Sequence, residues 1–157
     1  MTIEALDASH DTSEFDSGAS ELDRWLREHG LLAQQRDTAR VFVIADDEKR
    51  VLAYCAVVVG TVSRDELSSR ARSGLPDRVP CLLLGKLAVN KTASRQGHGF
   101  ELFKHAARIG VQVNQIAAAR LLVAEARDDS ARDWYVKQGM KCLVDGRTCY
   151  LRLADLR

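Results

Sequence analysis

The sequence has 157 residues, 46% of them hydrophobic and 29% charged, which is enough apolar material for one domain with a sizeable core. Its formal net charge of +1 excludes a strong overall attraction to nucleic acid, yet basic residues concentrate between positions 60 and 95. That concentration indicates a local anionic partner, with a solvated surface loop as the alternative. The basic residues of this region are Arg64, Arg70, Arg72, Arg78, Lys86, Lys91 and Arg95.

The first third of the chain predicts a strand, a helix and a β-hairpin. Residues 2–6 suit a short strand, and Ser20 with Asp23 resembles the capping box that opens a helix. Two β-rich runs, 40–45 and 51–60, flank a polar turn and predict an antiparallel hairpin. The apolar face expected for the helix comprises Leu22, Trp25, Leu26, His29 and Leu32, with Trp25 as a core anchor.

Residues 61–80 form the least regular part of the sequence. One helical turn is expected within 65–70, and the remainder reads as loop around Gly74, Pro76 and Pro80. Long loops within compact domains are often functional, and a variable surface excursion is the alternative.

The centre of the sequence predicts a buried strand, a glycine-rich loop and a helix. The apolar run 81–89 is bounded by Pro80 and by the polar residues 90–94, as expected of a buried strand. Gly97 and Gly99 then open a helical pattern, so free backbone N–H groups and the helix dipole favour an anion there. A tight strand-to-helix turn without a ligand is the alternative. The loop is neither a P-loop nor a dinucleotide fingerprint, because it lacks Gly-Lys-Ser/Thr and a third glycine.

The C-terminal third predicts two helical and three extended segments. The central helix is expected to continue to about residue 118, followed by a strand over 120–126. Capping residues at 128–130 and a stop at Gly139 predict a helix over 128–137. Strands over 140–144 and 148–153 would close the chain. The order of elements predicts a single mixed α/β domain.

The four cysteines are spaced as buried thiols rather than as a disulfide or zinc framework. None forms a C-x-x-C pair, and three lie in apolar runs. No signal peptide, membrane-spanning run or metal-ligand spacing of histidines is recognisable. These observations predict a cytoplasmic protein without a metal site or membrane segment. The cysteines are Cys55, Cys81, Cys142 and Cys149.

Two motifs resemble those of the GNAT superfamily of N-acetyltransferases. Residues 94–99, Ser-Arg-Gln-Gly-His-Gly, are similar to the family's pyrophosphate loop Gln/Arg-x-x-Gly-x-Gly/Ala, with Ser94 at the usual Gln or Arg position. Residues 128–140 are similar to Asn-x-x-Ala-x-x-Phe-Tyr-x-x-x-Gly-Phe on the helix beside the CoA arm, with Asp128, Trp134 and Met140 as departures. The resemblance covers nearly the whole chain. It implies one GNAT domain over 1–157: an α/β fold with a single mixed, mostly antiparallel sheet, splayed central strands and flanking helices.

A narrower resemblance is to the TacT-like acetyltransferase toxins of toxin–antitoxin modules. It rests on short pieces in matching order and spacing, with Ser17 where Cys is frequent and Lys86 where Arg is usual. Such toxins acetylate the amino group of aminoacyl-tRNA and block translation. The resemblance implies that activity here, with a ribbon-helix-helix antitoxin and a homodimer. The pieces lie at 15–18, 22–26, 34–43, 54, 75–80 and 83–89.

The resemblance also implies an acetyl-CoA site. Strand residues 87–89 would offer N–H groups to the pantetheine arm and the thioester carbonyl, and residues 97–99 would hold the pyrophosphate. For His98 a solvent-facing loop position is the alternative. The implied cofactor-binding residues are Leu87, Ala88, Val89, Arg95, Gln96, Gly97, His98, Gly99, Asp128 and Ala131.

Tyr135 is the implied catalytic residue, because a phenol, with an ordinary pKa of about 10, is protonated at neutral pH and can donate a proton to the departing thiolate. A core aromatic is the alternative. No general base is evident, which suits an α-amine, of ordinary pKa about 7.7–8.0, better than a lysine at about 10.4. Arg78 and Lys86 are expected to bracket the acceptor end of a tRNA.

Two other functions remain open. One is an ordinary GNAT N-acetyltransferase acting on a small amine or a protein. The other is a non-catalytic module that binds CoA or nucleic acid, in which Ser94 and Asp128 would reflect decay of the enzyme motifs.

Overall fold

Seven strands form one sheet in the computed structural model, which describes residues 2–157. They are β1 (Ile3–Ala5), β2 (Arg40–Ala45), β3 (Val51–Ser63), β4 (Arg78–Val89), β5 (Leu121–Glu125), β6 (Lys141–Cys142) and β7 (Thr148–Arg152). Their order is β1-β2-β3-β4-β5-β7-β6. The pairs β1–β2, β2–β3, β5–β7 and β6–β7 are antiparallel, and β4–β5 is parallel. The predicted mixed sheet and hairpin are therefore confirmed.

Helices complete the mixed α/β fold. They are α1 (Ser20–Trp25), α2 (Leu31–Gln35), α3 (Ser69–Arg72), α4 (His98–Ala117) and α5 (Asp129–Lys137). A π-helical segment, Leu26–Gly30, joins α1 to α2, and 3₁₀ turns lie at Arg64–Glu66, Lys91–Ala93 and Leu153–Leu156. None of the helices within residues 2–157 is long and apolar enough to cross a membrane.

Contacts group the chain into two compact units. The first contains the residues up to Val58 and Gly85–Ala106, and the second contains Val59–Leu84 and Ala107–Arg157. In the first unit the core surrounds Tyr54, whose side chain is fully buried. Phe15 meets the Tyr54 ring edge-on with centroids 5.5 Å apart, and Trp25 stacks on it at 6.1 Å and 11°. The Trp25 anchor predicted from the sequence is thus confirmed.

The helical face of the first unit differs from the expected one beyond Leu26. Leu26 and Gly30 are buried and Leu31 packs against the core, whereas His29 and Leu32 are exposed. The π segment is the reason, because a turn closed between residues i and i+5 holds one residue more than an α-turn and shifts the inward positions by one. The predicted inclusion of His29 and Leu32 is therefore wrong.

The start of α1 also differs from the predicted capping box. Ala19, not Ser20, is the residue before the helix, and its side chain makes no capping bond. Asp23 instead accepts hydrogen bonds from the backbone N–H and the hydroxyl of Ser17, the N–H at 3.1 Å. Ser17 also accepts from the Ala19 N–H at 3.2 Å. A buried carboxylate therefore orders the turn before the helix, three residues further back than the motif predicts.

Replacing Tyr54 by phenylalanine should destabilise the protein by about 0.5–1.5 kcal/mol. The Tyr54 hydroxyl donates to the Leu22 carbonyl at 2.7 Å, and the variant loses this bond while the ring stack and the Leu26 N–H bond to the same carbonyl are kept. Urea unfolding of the wild type and the variant measures the difference. A change below about 0.5 kcal/mol, the range typical of neutral surface substitutions, would contradict this role.

In the second unit β4 and β5 pair over Cys81–Leu84 and Leu121–Ala124. The sequence between β3 and β4 is anchored to this unit rather than a free loop. Leu67 is buried in the core with Val79 and Leu143, and Arg64 donates to the Leu75 carbonyl at 2.9 Å and pairs with Asp77 at 2.9 Å. The expected helical turn is present as a 3₁₀ turn at Arg64–Glu66 and α3 at Ser69–Arg72.

Candidate functional site

The loop between β4 and α4 turns sharply through two left-handed residues. Arg95 has φ +62° and Gly97 has φ +82°, and an ideal Cβ at Gly97 would meet no atom within 4 Å. Residues 94–97 are exposed. The open space beside Gly97 is therefore available to a bound group. The left-handed backbone conformation of Arg95 is energetically unfavourable, and such backbone strain is common at ligand-binding sites.

Helix α4 begins at His98 and presents free donors to this loop. The Glu101 N–H bonds to the Gly97 carbonyl at 3.0 Å, so the N–H groups of His98, Gly99 and Phe100 precede the first bond of the helix. These groups and the macrodipole of a 20-residue helix favour a phosphate at its N-terminus.

His98 is buried, so the alternative of a solvent-facing loop residue is wrong. Its residual exposure is 7%, and its Nε2 atom has no hydrogen-bond partner among residues 2–157. A buried nitrogen without a hydrogen-bond partner is unfavourable in free energy. The Nε2 atom of His98 is therefore a candidate to hydrogen-bond with a ligand or a water molecule.

The strand that enters the loop carries Lys86 and residues 87–89. Ala88 is buried in the core of the first unit, and Leu87 and Val89 are half-buried. Lys86 places its Nζ 5.1 Å from the centroid of the Trp25 ring, within the range of a cation–π interaction. Because that ring also stacks on Tyr54, the Lys86 ammonium lies over a fixed aromatic platform at the start of residues 87–89.

The second unit contains Asp128, Ala131 and Tyr135. Asp128 caps α5, because its Oδ1 accepts from the Ala131 N–H at 2.8 Å. Its Oδ2 lies 3.5 Å from an Arg127 nitrogen. The hydrogen bond between Asp128 and Ala131 therefore stabilises the first turn of the helix that carries Tyr135.

Tyr135 is buried with 6% of its surface exposed. Its ring meets Trp134 edge-on, with centroids 5.3 Å apart and planes at 77°. The Tyr135 carbonyl accepts from the N–H groups of Gln138 at 3.0 Å and Met140 at 3.2 Å. These contacts fix the end of α5, and both a packing role and a proton-donor role are compatible with this burial.

Arg78 lies at the first position of β4 and is exposed. Its Nε and Nη2 donate to the Thr61 Oγ1 at 3.0 and 2.6 Å. The contact with one hydroxyl holds the guanidinium on the strand, and the arginine's remaining N–H donors stay available for another acceptor.

The thiols of Cys55 and Cys81 are not candidate nucleophiles. Burial raises the pKa of the Cys55 thiol to about 12 and that of the Cys81 thiol to about 11, so both stay protonated at neutral pH. Among residues 2–157 no group of three His, Cys, Asp or Glu residues is arranged to hold a metal ion.

The site residues expected from the sequence divide between the two units. The first unit holds Lys86, residues 87–89 and residues 95–99, and the second holds Arg78, Asp128, Ala131 and Tyr135. No sequence pattern indicated the contact between Trp25 and Lys86, which are 61 positions apart, or the left-handed Arg95. Helical spacing assigned Trp25 to the core but carried no information on its partner.

The chain matches the model of the acetyltransferase (GNAT) family over residues 4–140. It is 33% identical over 126 residues to a tRNA-acetylating toxin of Mycobacterium tuberculosis, a match that spans 80% of this chain and 75% of that protein.

Solved structures share the fold over almost the whole chain. A tyrosine-to-phenylalanine mutant of KacT superimposes with a TM-score of 0.92 and 25% identity, over 99% of this chain and 96% of that one. AtaTR bound with AcCoA superimposes with a TM-score of 0.85 and 25% identity, over 99% and 95% of the two chains.

Proposed function

The chain belongs to the GNAT family of acetyltransferases, and from that premise we propose that it transfers the acetyl group of acetyl-CoA to the α-amino group of aminoacyl-tRNA. Such a reaction would block translation, so that the protein acts as a toxin. The observation that carries the proposal is the 33% identity to a tRNA-acetylating toxin over 80% of the chain. An N-acetyltransferase that modifies a small amine or a protein is the competing function.

Acetyl-CoA fits the loop and helix start of the first unit. The open space beside Gly97 and the free N–H groups at the start of α4 suit the pyrophosphate, and the exposed Arg95 and Gln96 flank them. The buried Nε2 of His98 lacks a partner among the described residues and supports contact with the bound molecule. Backbone groups of Leu87, Ala88 and Val89 would hold the pantetheine arm and polarise the thioester carbonyl.

When bound, acetyl-CoA supplies an activated acyl group. The neutral amine forms a bond to the carbonyl carbon, and the carbon–sulfur bond then breaks. In this proposal Tyr135 donates its phenolic proton to the departing sulfur, and the proton lost by the amine goes to solvent. Asp128 and Ala131, which cap α5, would hold in place the start of the helix that carries Tyr135.

An α-amine suits a site without an evident general base. The ordinary pKa of an α-amino group is about 7.7–8.0, so a useful share is neutral near physiological pH. A lysine side chain, at about 10.4, would need a base to remove its proton. This chemistry favours the aminoacyl end of a tRNA over a lysine.

Lys86 and Arg78 are the residues proposed to contact the tRNA. Lys86 is fixed over Trp25, and Arg78 is fixed on Thr61, so both cations are held in place before a ligand arrives. Removing either charge should lower tRNA affinity and reduce the slope of log K against log salt by roughly 0.9 for each phosphate that is no longer neutralised. Titration of uncharged tRNA at several salt concentrations measures that slope.

Lys49→Gln is the matched control for these charge-removing variants. Lys49 is exposed and pairs with Glu4 at 3.5 Å, so its substitution changes the net charge equally at a position outside the proposed site. If Lys49→Gln flattens the slope as much as Lys86→Gln and Arg78→Gln do, local contacts by Lys86 and Arg78 are disproved.

We expect one GNAT domain that works in the cytoplasm as a homodimer and is neutralised by a ribbon-helix-helix antitoxin. Co-expression with an adjacent gene for such a small protein should restore growth to cells in which this chain alone halts translation.

The direct test incubates the protein with labelled acetyl-CoA and a full set of charged tRNAs. Label is expected on the α-amino group of at least one aminoacyl-tRNA. If free amines or peptides accept label and no aminoacyl-tRNA does, the ordinary N-acetyltransferase is correct. If acetyl-CoA binds but no acceptor is modified, the protein is a non-catalytic module.

A further inference from the structure

Two cysteines face each other across the C-terminal hairpin. Cys142 of β6 and Cys149 of β7 are direct partners in the antiparallel register, and their Sγ atoms are 3.9 Å apart. Cys142 is exposed and Cys149 is buried. From this arrangement we infer that Cys142 and Cys149 form a redox modification site, at which a small-molecule disulfide of the glutathione class joins them reversibly.

The register favours this bond. The Leu143 N–H donates to the Thr148 carbonyl at 2.8 Å, so positions 143 and 148 form a hydrogen-bonded pair and the adjacent pair of cysteines is non-hydrogen-bonded. In such pairs the Cα atoms lie about 4.5 Å apart, within the range that a disulfide spans. The sulfurs must approach from 3.9 Å to about 2.0 Å, a change that side-chain rotation can supply.

The two thiols differ in accessibility, which sets the order of the steps. The Cys142 thiolate attacks one sulfur of the small-molecule disulfide, forms a mixed disulfide and releases one thiol. Cys149 then loses its proton to solvent and attacks the Cys142 sulfur, which releases the second thiol. The protein loses two electrons and two protons, and the reagent is reduced to two thiols.

The second step should be slow and should accelerate with pH. Burial, and secondarily the neighbouring Cys142 thiol, raise the pKa of the Cys149 thiol. Its thiolate fraction therefore increases about tenfold for each pH unit below that pKa. The remaining cysteines, Cys55 of β3 and Cys81 of β4, are both buried, so they should stay reduced in the folded protein.

The disulfide would link β6, the two-residue strand that follows α5, covalently to β7. Met140, just before β6, donates its N–H to the Tyr135 carbonyl at 3.2 Å, and α5 packs beside both β6 and β7. Joining β6 to β7 would thus restrain the end of the helix that carries Tyr135. Formation of the bond does not depend on the proposed function, whereas any effect on acetyl transfer rests on it.

The test treats the folded full-length protein with oxidised glutathione and analyses it by intact mass and by peptide mapping without reduction. We expect loss of two hydrogen atoms, one cross-linked peptide containing Cys142 and Cys149, and recovery of both thiols with reduced glutathione. The rate at which the mixed disulfide resolves should rise with pH. Cys149→Ser should stop at the mixed disulfide, and Cys142→Ser should not react.

Three results would overturn the inference. They are a wild-type protein that remains glutathionylated at Cys142, a disulfide between the Cys142 residues of two chains, and oxidation of Cys55 or Cys81 in place of Cys149. A comparison of acetyl transfer before and after oxidation is a separate measurement. If the protein forms the bond but transfers no acetyl group, the redox site is supported and only the proposed function is disproved.

Discussion

Replacing Tyr135 by phenylalanine is expected to lower the rate of acetyl transfer by roughly 10²–10⁴-fold, the usual contribution of a positioned general acid. The change removes one hydroxyl and keeps the ring, so the edge-on contact with Trp134 and the backbone bonds at the end of α5 should persist. Acetyl-CoA affinity should change little. Steady-state kinetics with a charged tRNA, and calorimetry with acetyl-CoA, measure the two quantities.

Tyr150 provides the control for this variant. It is a buried tyrosine of the same unit, on β7, and Tyr150→Phe makes the same chemical change at a position that is not expected to touch the substrate. The rate should fall for Tyr135→Phe alone. An unchanged rate with a lower unfolding temperature for Tyr135→Phe would identify Tyr135 as a core aromatic.

A glutamate at Gly97 is expected to weaken acetyl-CoA binding by at least about 100-fold. The new side chain would project into the open space beside the loop and set a negative charge against the diphosphate, and juxtaposed like charges cost several kcal/mol. About 1.4 kcal/mol corresponds to a tenfold change in affinity, so roughly 3 kcal/mol gives the expected loss. Calorimetry on the wild type and the variant tests this.

Gly74→Glu separates charge repulsion from backbone strain. Gly74 has φ +75°, close to the +82° of Gly97, and a Cβ at either position meets no atom within 4 Å. Both variants carry the same left-handed strain and the same added charge, so their stabilities should fall alike. Equal loss of acetyl-CoA affinity in the two variants, or in neither, would remove the Gly97 loop from the binding site.

The sheet and the loop before α4 were predictable because local signals agree there. An apolar run over 81–89 specifies β4, although the strand begins three residues earlier, at Arg78, and includes the Pro80 that was predicted to bound it. A polar turn specifies the β2–β3 hairpin, and glycine at 97 meets the left-handed geometry that the chain requires. The sequence also located the start of α5, since Asp128 is the residue that caps it. Each of these features is determined within a few residues of the chain.

Features that depend on distant residues were not predictable. Helical periodicity assumes a constant angle per residue, so it placed His29 and Leu32 inward and missed the π segment. The buried Asp23 bonds to Ser17 rather than to the residue that the capping motif names. The burial of His98 and the position of Lys86 over Trp25 depend on side chains brought together by the fold, for which a single sequence contains no periodic signal.

The π segment Leu26–Gly30 also decides which way two distant side chains of the helical region point. In a uniform α-helix, residues nine positions apart, such as Trp25 and Gln34, would be about 180° apart around the axis. One extra residue in the π turn reduces that angle to about 80°. Both side chains can then face the sheet.

Gln34 uses this orientation to bind two backbone segments at once. Its side-chain amide donates to the carbonyls of Leu6 and Val41, each at 3.2 Å, and its oxygen accepts from the Val41 N–H at 3.0 Å. If residues 25–34 formed a uniform α-helix at their full length, Gln34 would lie about 100° further around the axis and would lose its three bonds to Leu6 and Val41, while Trp25 stayed on Tyr54. The π turn therefore absorbs the added residue, so that one continuous helical stretch places Trp25 against Tyr54 and Gln34 against β2.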